Sequence, residues 1–369
     1  MISSSAGFLK HREERQALHI CTCRRWRLRL SFYSLTFVFC ITGFMAAQDS
    51  GKNRVLKLEE LSQAEIDKLD RNKSAFILTF GNLEEHGPHL PVGTDYFEAI
   101  AVRDAMVRKL LLSRPDYTFV LVPVVPLGEG GANDNMLELD HIGTFAVRYD
   151  TLRNVAVDLG SSIIRKGFRH VLLIHDHGAP LHNAAFNEAA AFVSDKRGCC
   201  MVNITSIVLA DELSLFHTTV YSKYLGEQWK QKVGGFDAHG GASETAMSLA
   251  IRPDLVKSDY KSCPPFLVED LNEFFRSIQR KREWRGYWGS PALATPQMGQ
   301  DFLDDIVSRT TRIAEMVLAD QDLSKLPVYP DVLGPAPDAA KVFIKAVMER
   351  YNSDAAELDA WLKEKNTKH

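Results

Sequence analysis

Cysteine is scarce outside the first 47 residues. Of the six in the chain, Cys21, Cys23 and Cys40 lie there, leaving Cys199, Cys200 and Cys263 in the body. An odd number with one vicinal pair is no disulfide framework, and no CxxC points to a zinc knuckle, so free, at least half-buried thiols are expected. The chain has no HExxH, which removes that type of metallopeptidase. It shows no internal repeat, which sets solenoids and propellers aside. An excess of positive charge is missing too. The formal net charge is −3, but seven of the 44 Lys/Arg and only two of the 47 Asp/Glu fall in residues 1–47, so the rest of the chain stands at −8. Without a basic stripe, nucleic acid is not an expected partner. What is present is ordinary globular composition, 45% hydrophobic and 25% charged over 369 residues, ample for a large core.

Residues 1–47 have the order of a targeting segment. A basic stretch ending in Arg24-Arg25-Trp26-Arg27-Leu28-Arg29 leads into an apolar run from Leu30 to Met45, then Ala46-Ala47, then polar Gln48-Asp49-Ser50-Gly51. Basic, apolar and small residues in that order predict a signal peptide and a secreted or periplasmic mature chain. Ser31, Ser34 and Thr36 interrupt the apolar run, and it is short against the roughly 20 apolar residues of a membrane span. An uncleaved anchor is one alternative, and a true start at Met45, giving a cytoplasmic protein, is the other.

Further along, short apolar runs alternate with helical patterns. Ala75–Phe80, Thr118–Pro126, His170–Ile174 and Met201–Leu209 read as strands, several of them apolar on both faces. Leu56–Leu69, Tyr96–Leu112, Asp150–Lys166 and Asn183–Lys196 read as helices. The alternation predicts a mostly parallel sheet with helices on both sides, an α/β/α sandwich whose site lies at the carboxyl edge of the strands. Glu269–Arg282 and Gln297–Leu318 are further helices. Four prolines, Pro327, Pro330, Pro335 and Pro337, then mark an irregular connection. Beyond them Ala339–Tyr351 and Ser353–Lys365 predict a final helix pair. Residues 327–369 read as a packing or oligomer element outside the site.

Three clusters have side chains suited to chemistry. Glu84-Glu85-His86-Gly87-Pro88-His89-Leu90-Pro91-Val92-Gly93-Thr94-Asp95 places five potential ligands in a stretch whose glycines and prolines suit neither helix nor strand. A shaped loop of this kind can aim Glu84 and His86 at one point and bring Asp95 back, a mixed N/O set for Zn or Mn. A polar surface loop is the plain alternative. His175-Asp176-His177-Gly178 follows the strand ending at Ile174, a common place for a ligand, though either histidine also suits a core or capping role. Asp237-Ala238-His239-Gly240-Gly241-Ala242-Ser243-Glu244-Thr245 reads as a loop entering a helix near Glu244. There a carboxylate would also simply complement the helix dipole.

Taken together these motifs resemble the creatininase (creatinine amidohydrolase) family. Leu83-Glu84-Glu85-His86-Gly87-Pro88-His89-Leu90-Pro91 with Gly93-Thr94-Asp95 is similar to the family's LEQHGPHLPxGTD. Asp176-His177-Gly178, then His239-Gly240-Gly241 with Glu244-Thr245, then Gly289-Ser290-Pro291 with Ala294-Thr295 and Gly299 follow in the family's order. The resemblance runs from about Leu56 to Leu318. It implies a three-layer fold, homo-oligomers, often hexamers, and two divalent cations, Zn and/or Mn. By motif position Glu84 and His177 would bind one cation, His86 and Glu244 the other, and Asp95 would bridge. His239 matches the proton-handling position. The hydrolase domain then covers residues 48–326.

Two such cations can hold a hydroxide and polarise a carbonyl. The resemblance therefore implies hydrolysis of a non-peptide C–N bond in a small molecule, a cyclic amide or formamide. Its alternatives are ring-opening of a cyclic polyol ketone and a non-catalytic binding member. Departures from the pattern argue against creatinine as substrate. His175-Asp176 replaces an Asn-Gly, Pro180 replaces an Asn, and Ala179 stands where creatininase has a glutamate. Ser206–Leu215 holds no counterpart of its substrate-covering tryptophan. Trp229, Tyr260, Trp284, Tyr287 and Trp288, in or near the loops Val208–Gln231 and Glu269–Trp288, are candidates to line a pocket, with simple packing as the plain alternative.

Overall fold

The computed structural model describes residues 54–130, 142–215, 218–235, 237, 239–278, 284–329 and 338–366, and the leader expected at 1–47 lies outside them. Five strands, β1 (Val55–Lys57), β2 (Ser74–Thr79), β3 (Thr118–Leu121), β4 (His170–Ile174) and β5 (Cys200–Asn203), form one parallel sheet in the order β1-β3-β2-β4-β5. Every residue of β2 and β4 is buried, as a strand covered on both faces requires.

The strand residues alternate between two cores. Phe76, Leu78, Val120, Val171, Leu173 and Met201 face one side, where α3 (Tyr149–Ile164) and α4 (Pro180–Arg197) cover them. Ala75, Ile77, Phe119, Leu172, Ile174 and Val202 face the other, against α2 (Thr94–Ser113), α5 (Ile204–Leu215) and the long α10 (Pro296–Leu318). This is the expected three-layer α/β/α sandwich. Each large apolar side chain so buried contributes roughly 1.5–3 kcal/mol.

Several local expectations shift. Leu56–Leu69 is not one helix. Val55–Lys57 pairs with β3, and the chain restarts as the short helix α1 (Gln63–Lys68) at Ser62, whose side chain and Glu65 form a capping box. The run Met201–Leu209 is strand only to Asn203 and then helix, because an apolar run carries no periodicity to tell the two apart. β3 ends at Leu121, ahead of Pro123 and Pro126. Within Glu269–Arg282, Leu271–Ile278 forms α9, and residues 279–282 lie outside the described residues. Most of Val208–Gln231, expected as loop, is helical, with α6 (Thr218–Leu225) and α7 (Trp229–Val233) following α5. The final helix pair is a single helix, α11 (Asp338–Asn366), which passes Ser353 without a break. Cys199 and Cys200 are buried and Cys263 is half-buried, as expected.

The topology decides where a site can form. The connection leaving β2 runs through α2 on one face to β3, and that leaving β4 runs through α4 on the other face to β5. β2 and β4 are hydrogen-bonded neighbours, with Thr79 opposite Ile174. Their carboxyl ends therefore diverge and open a crevice between them.

Candidate metal centre

The two strands at that crevice deliver the first candidate ligands. Glu84 lies five residues beyond the end of β2 and His177 three beyond the end of β4. Asp95 was expected in the loop, but it sits in the first turn of α2, where the helix dipole favours a carboxylate. Glu244 sits in the first turn of α8 (Ala242–Ile251). That helix start is held by Asp237, whose carboxylate accepts from the backbone N–H groups of Ala242 at 2.9 Å and Ser243 at 3.0 Å. Tyr221 donates to the same carboxylate.

Two glycines let the loops close on each other. Gly87 has φ +74° and Gly240 has φ +65°, both left-handed. A Cβ on Gly87 would press on Tyr287, and one on Gly240 would meet Tyr287 and the His86 carbonyl. His89, in the first motif, is no ligand. Its Nε2 lies 2.9 Å from Thr245 Oγ1 and ties the β2 loop to α8.

Asp95 stands between the two histidines. Its Oδ1 lies 3.1 Å from His86 Nε2, and its Oδ2 lies 3.1 Å from His177 Nδ1. On the outer sides, Glu84 Oε2 is 3.0 Å from His177 Nδ1 and Glu244 Oε2 is 3.4 Å from His86 Nε2. All five side chains thus meet in two sets, Glu84 with Asp95 and His177, and His86 with Asp95 and Glu244. A third set, Glu84 with His86 and His239, is equally compact. His239 packs its ring on His86 with centroids 4.0 Å apart.

The arrangement fits a pair of cations. His86 Nδ1 lies 2.9 Å from the Glu84 carbonyl oxygen and His177 Nε2 lies 2.9 Å from that of Glu129. A carbonyl only accepts, so these nitrogens carry the protons and turn His86 Nε2 and His177 Nδ1 toward the carboxylates. His86 Nε2 and Asp95 Oδ2 are buried and make no hydrogen bond among the described residues. Their neighbours are the ion-pair groups at 3.1 Å, and a cation shared among these atoms would satisfy them at once. Three carboxylates and two imidazoles are also the donor set that Zn or Mn takes.

Without cations the charges lean on one another. Burial works against a charged His177 ring, but Glu84 and Asp95 outweigh it and raise the group to about 10. His86 is likewise held well above its ordinary value despite burial, by Asp95 and Glu244. Burial alone would raise Asp95, yet the two flanking rings hold it below the usual carboxylate range. Burial pushes Glu84 up to about 8. His239 is held well below the ordinary imidazole value by burial and by the neighbouring His86.

A match to the creatininase family model (creatinine amidohydrolase) over residues 59–314 decides the relationship. The chain belongs to the creatininase family. A mycofactocin precursor peptide peptidase of Mycobacterium ulcerans (strain Agy99) is 25% identical over 70% of this chain and 93% of its own length. Among solved structures, one described as "Creatininase Mn" is 19% identical, covers 71% of this chain and 98% of its own, and has a TM-score of 0.51. A creatininase variant described as "Zn-Zn type" is 18% identical over 72% of this chain and 98% of its own, with a TM-score of 0.50. These creatininase structures share the fold of this chain.

Residues not singled out from sequence complete the centre. Asn82 donates to Glu84 Oε2 at 3.1 Å, and the Glu129 backbone carbonyl orients His177. Glu98, one turn beyond Asp95 on α2, is buried and accepts from Ser248 at 3.3 Å. Burial and the neighbouring Asp176 raise its carboxyl well above the ordinary value, and burial raises that of Asp176 to about 8. For Glu129 the sequence signal is its place between Gly128 and Gly130, eight residues beyond the end of β3. Of the five aromatics considered, Trp284 and Trp288 stand near His239, with ring centroids 6.3 Å and 5.8 Å away, and Tyr287 lies against Gly87 and Gly240. Trp229 and Tyr260 pack in a separate core with α6, α8 and α10.

Proposed function

We infer that this chain is a binuclear metal-dependent hydrolase that cleaves the C–N bond of a small amide, a cyclic amide or formamide other than creatinine. The observation that carries it is Asp95 with one carboxylate oxygen toward each histidine, the position of a ligand shared by two cations. Glu84 and His177 would hold one cation, and His86 and Glu244 the other. When bound, two Zn or Mn ions would supply an activated water and polarise the substrate carbonyl.

The chain's own groups do the remaining work. The Glu84 and Glu129 carbonyls hold a proton on the far nitrogen of each ring, so the other nitrogen is the one turned toward a cation. His239 is neutral near pH 7 and stands against His86, so it can accept a proton and pass it to the leaving nitrogen. Trp284 and Trp288 pack behind it and limit water on that side. Ala179, next to the start of α4, offers no carboxylate where creatininase has one, which supports a substrate other than creatinine.

A second substrate class has its own support. The mycobacterial relative, matched over nearly its full length, is named as a peptide peptidase. A peptide bond is also an amide, and the same residues would serve it. Export through a leader at residues 1–47, supported by the order of basic, apolar and small residues there, and the homo-oligomer that the family resemblance implies complete the proposal.

Elemental analysis of the purified chain beside Asp95→Asn tests the centre. About two Zn or Mn per chain, falling sharply in the variant, supports it and justifies assaying cyclic amides against short peptides. No stoichiometric metal even after reconstitution overturns the hydrolase mechanism.

A further inference from the structure

The C-terminal helix α11 lies beyond the family match, which ends at residue 314. It is nevertheless built into the main core. Ala340, Phe343, Val347 and Tyr351 are buried and recur at helical spacing, so they form one stripe. That stripe joins the core of β2, β4, α3 and α4, and Phe343 meets Phe275 of α9 with ring centroids 5.5 Å apart.

At the end of the stripe, Tyr351 reaches the metal centre's support. Its hydroxyl donates to Glu129 Oε1 at 2.8 Å in a buried setting. Glu129 is 1% exposed, and its backbone carbonyl is the acceptor 2.9 Å from His177 Nε2. The Glu129 N–H in turn donates to His182 Nδ1 at 3.1 Å, and the His182 ring packs against that of His177 with centroids 4.7 Å apart. Glu129 is therefore gripped at its side chain, its N–H and its carbonyl. Only the side-chain grip comes from outside the family's matched region.

We propose that Tyr351 is a positioning residue for one of the two cation sites, acting through Glu129 on the orientation of His177. This rests on the metal-centre function above. A carbonyl that shifts by a few tenths of an ångström re-aims the imidazole it holds, and partners behind a ligating histidine govern metal affinity. The other site, made by His86 and Glu244, has its own support in the Glu84 carbonyl and Asp237. The tyrosine therefore acts directly on the His177 side of the centre, and on the other cation only through the shared Asp95.

The test is stepwise Zn titration of the full metal-free chain by competition with a chromophoric chelator, for wild type, Tyr351→Phe and Glu129→Gln. Wild type should bind two cations. Tyr351→Phe should weaken one stepwise constant by about tenfold, the lower end of what loss of such partners costs, and leave the other within twofold. Glu129→Gln keeps an acceptor for the tyrosine hydroxyl but removes a negative charge beside His177, so it should weaken the same stepwise constant and leave the other within twofold. Cobalt substitution gives a second readout, since only the His177 site's absorption band should shift in Tyr351→Phe.

A purely structural role would lower the melting temperature of the metal-free variant and weaken both cations equally or neither, which overturns the proposal. Two wild-type cations with both constants unchanged in Tyr351→Phe overturns it while leaving the metal centre standing. A wild type that binds no cation removes the centre and this proposal together.

Discussion

Asp95 sits in the first turn of helix α2, where the dipole favours its charge, and stands between the two histidines of the candidate centre. In the metal-free chain its charge, with those of Glu84 and Glu244, keeps both rings protonated well above the ordinary imidazole range. The pH behaviour follows from the sign of that shift. His177 sits at about 10 in the folded chain, against roughly 6.5 when unfolded. Its pairing stabilises the metal-free fold fully below about pH 6.5 and is lost as pH rises through about 10. Cation binding needs the bare nitrogen, so affinity runs the other way and strengthens as pH rises over the same window, with protons released. Calorimetry in two buffers of different ionisation enthalpy should show that release near pH 7, and Zn should bind more tightly at about pH 8 than at about pH 6. Equal affinity at both would mean that the histidines are not the ligands. At this scale the candidate ligands are legible because Glu84, His86 and Asp95 fall within twelve residues rich in glycine and proline. Glu129 was not, because it acts through a backbone carbonyl, and every residue has one.

Helix starts and strand ends position the ligands. α8 begins at Ala242 with Asp237 satisfying two of its free N–H groups, and Glu244 projects from that same first turn. Asp237→Ala should cost about 1 kcal/mol of stability, as loss of a helix cap does, read by urea unfolding. It should also loosen the Glu244 site, so one of two bound cations is retained less well on dialysis. Unchanged metal retention alongside the stability loss would show that Glu244 is fixed by other contacts. The start of α8 near Glu244 was readable from its glycines. Helical spacing in the sequence starts α2 at Tyr96, two residues late, with Asp95 in the loop, because Gly93 caps the helix with no side-chain hydrogen bond to announce it.

At the scale of the molecule, α11 shares one core with the sheet and is not an appendage. Phe343 is 4% exposed against that core. Phe343→Ala should therefore destabilise the whole chain by about 3–5 kcal/mol, with a single urea transition followed both by circular dichroism and by tryptophan fluorescence. A separate early transition, with the main one unmoved, would show that the helix folds by itself. Expected from sequence as a packing or oligomer element, the tail does pack. Its hydrogen bond to Glu129 could not be foreseen, because Tyr351 and Glu129 are 222 residues apart. The sequence by itself determined the class of fold, since strand runs apolar on both faces alternating with helical stripes have few other ways to hide their surface. It also determined which side chains could ligate, since ligand chemistry belongs to residue type. Only the tertiary structure decided that β2 and β4 lie side by side where their connections diverge, and so that the loops after them meet. It alone decided that Asp95 shows one oxygen to each histidine and which carbonyls aim those rings. Those relations depend on distances between segments far apart in the chain, which local pattern does not encode.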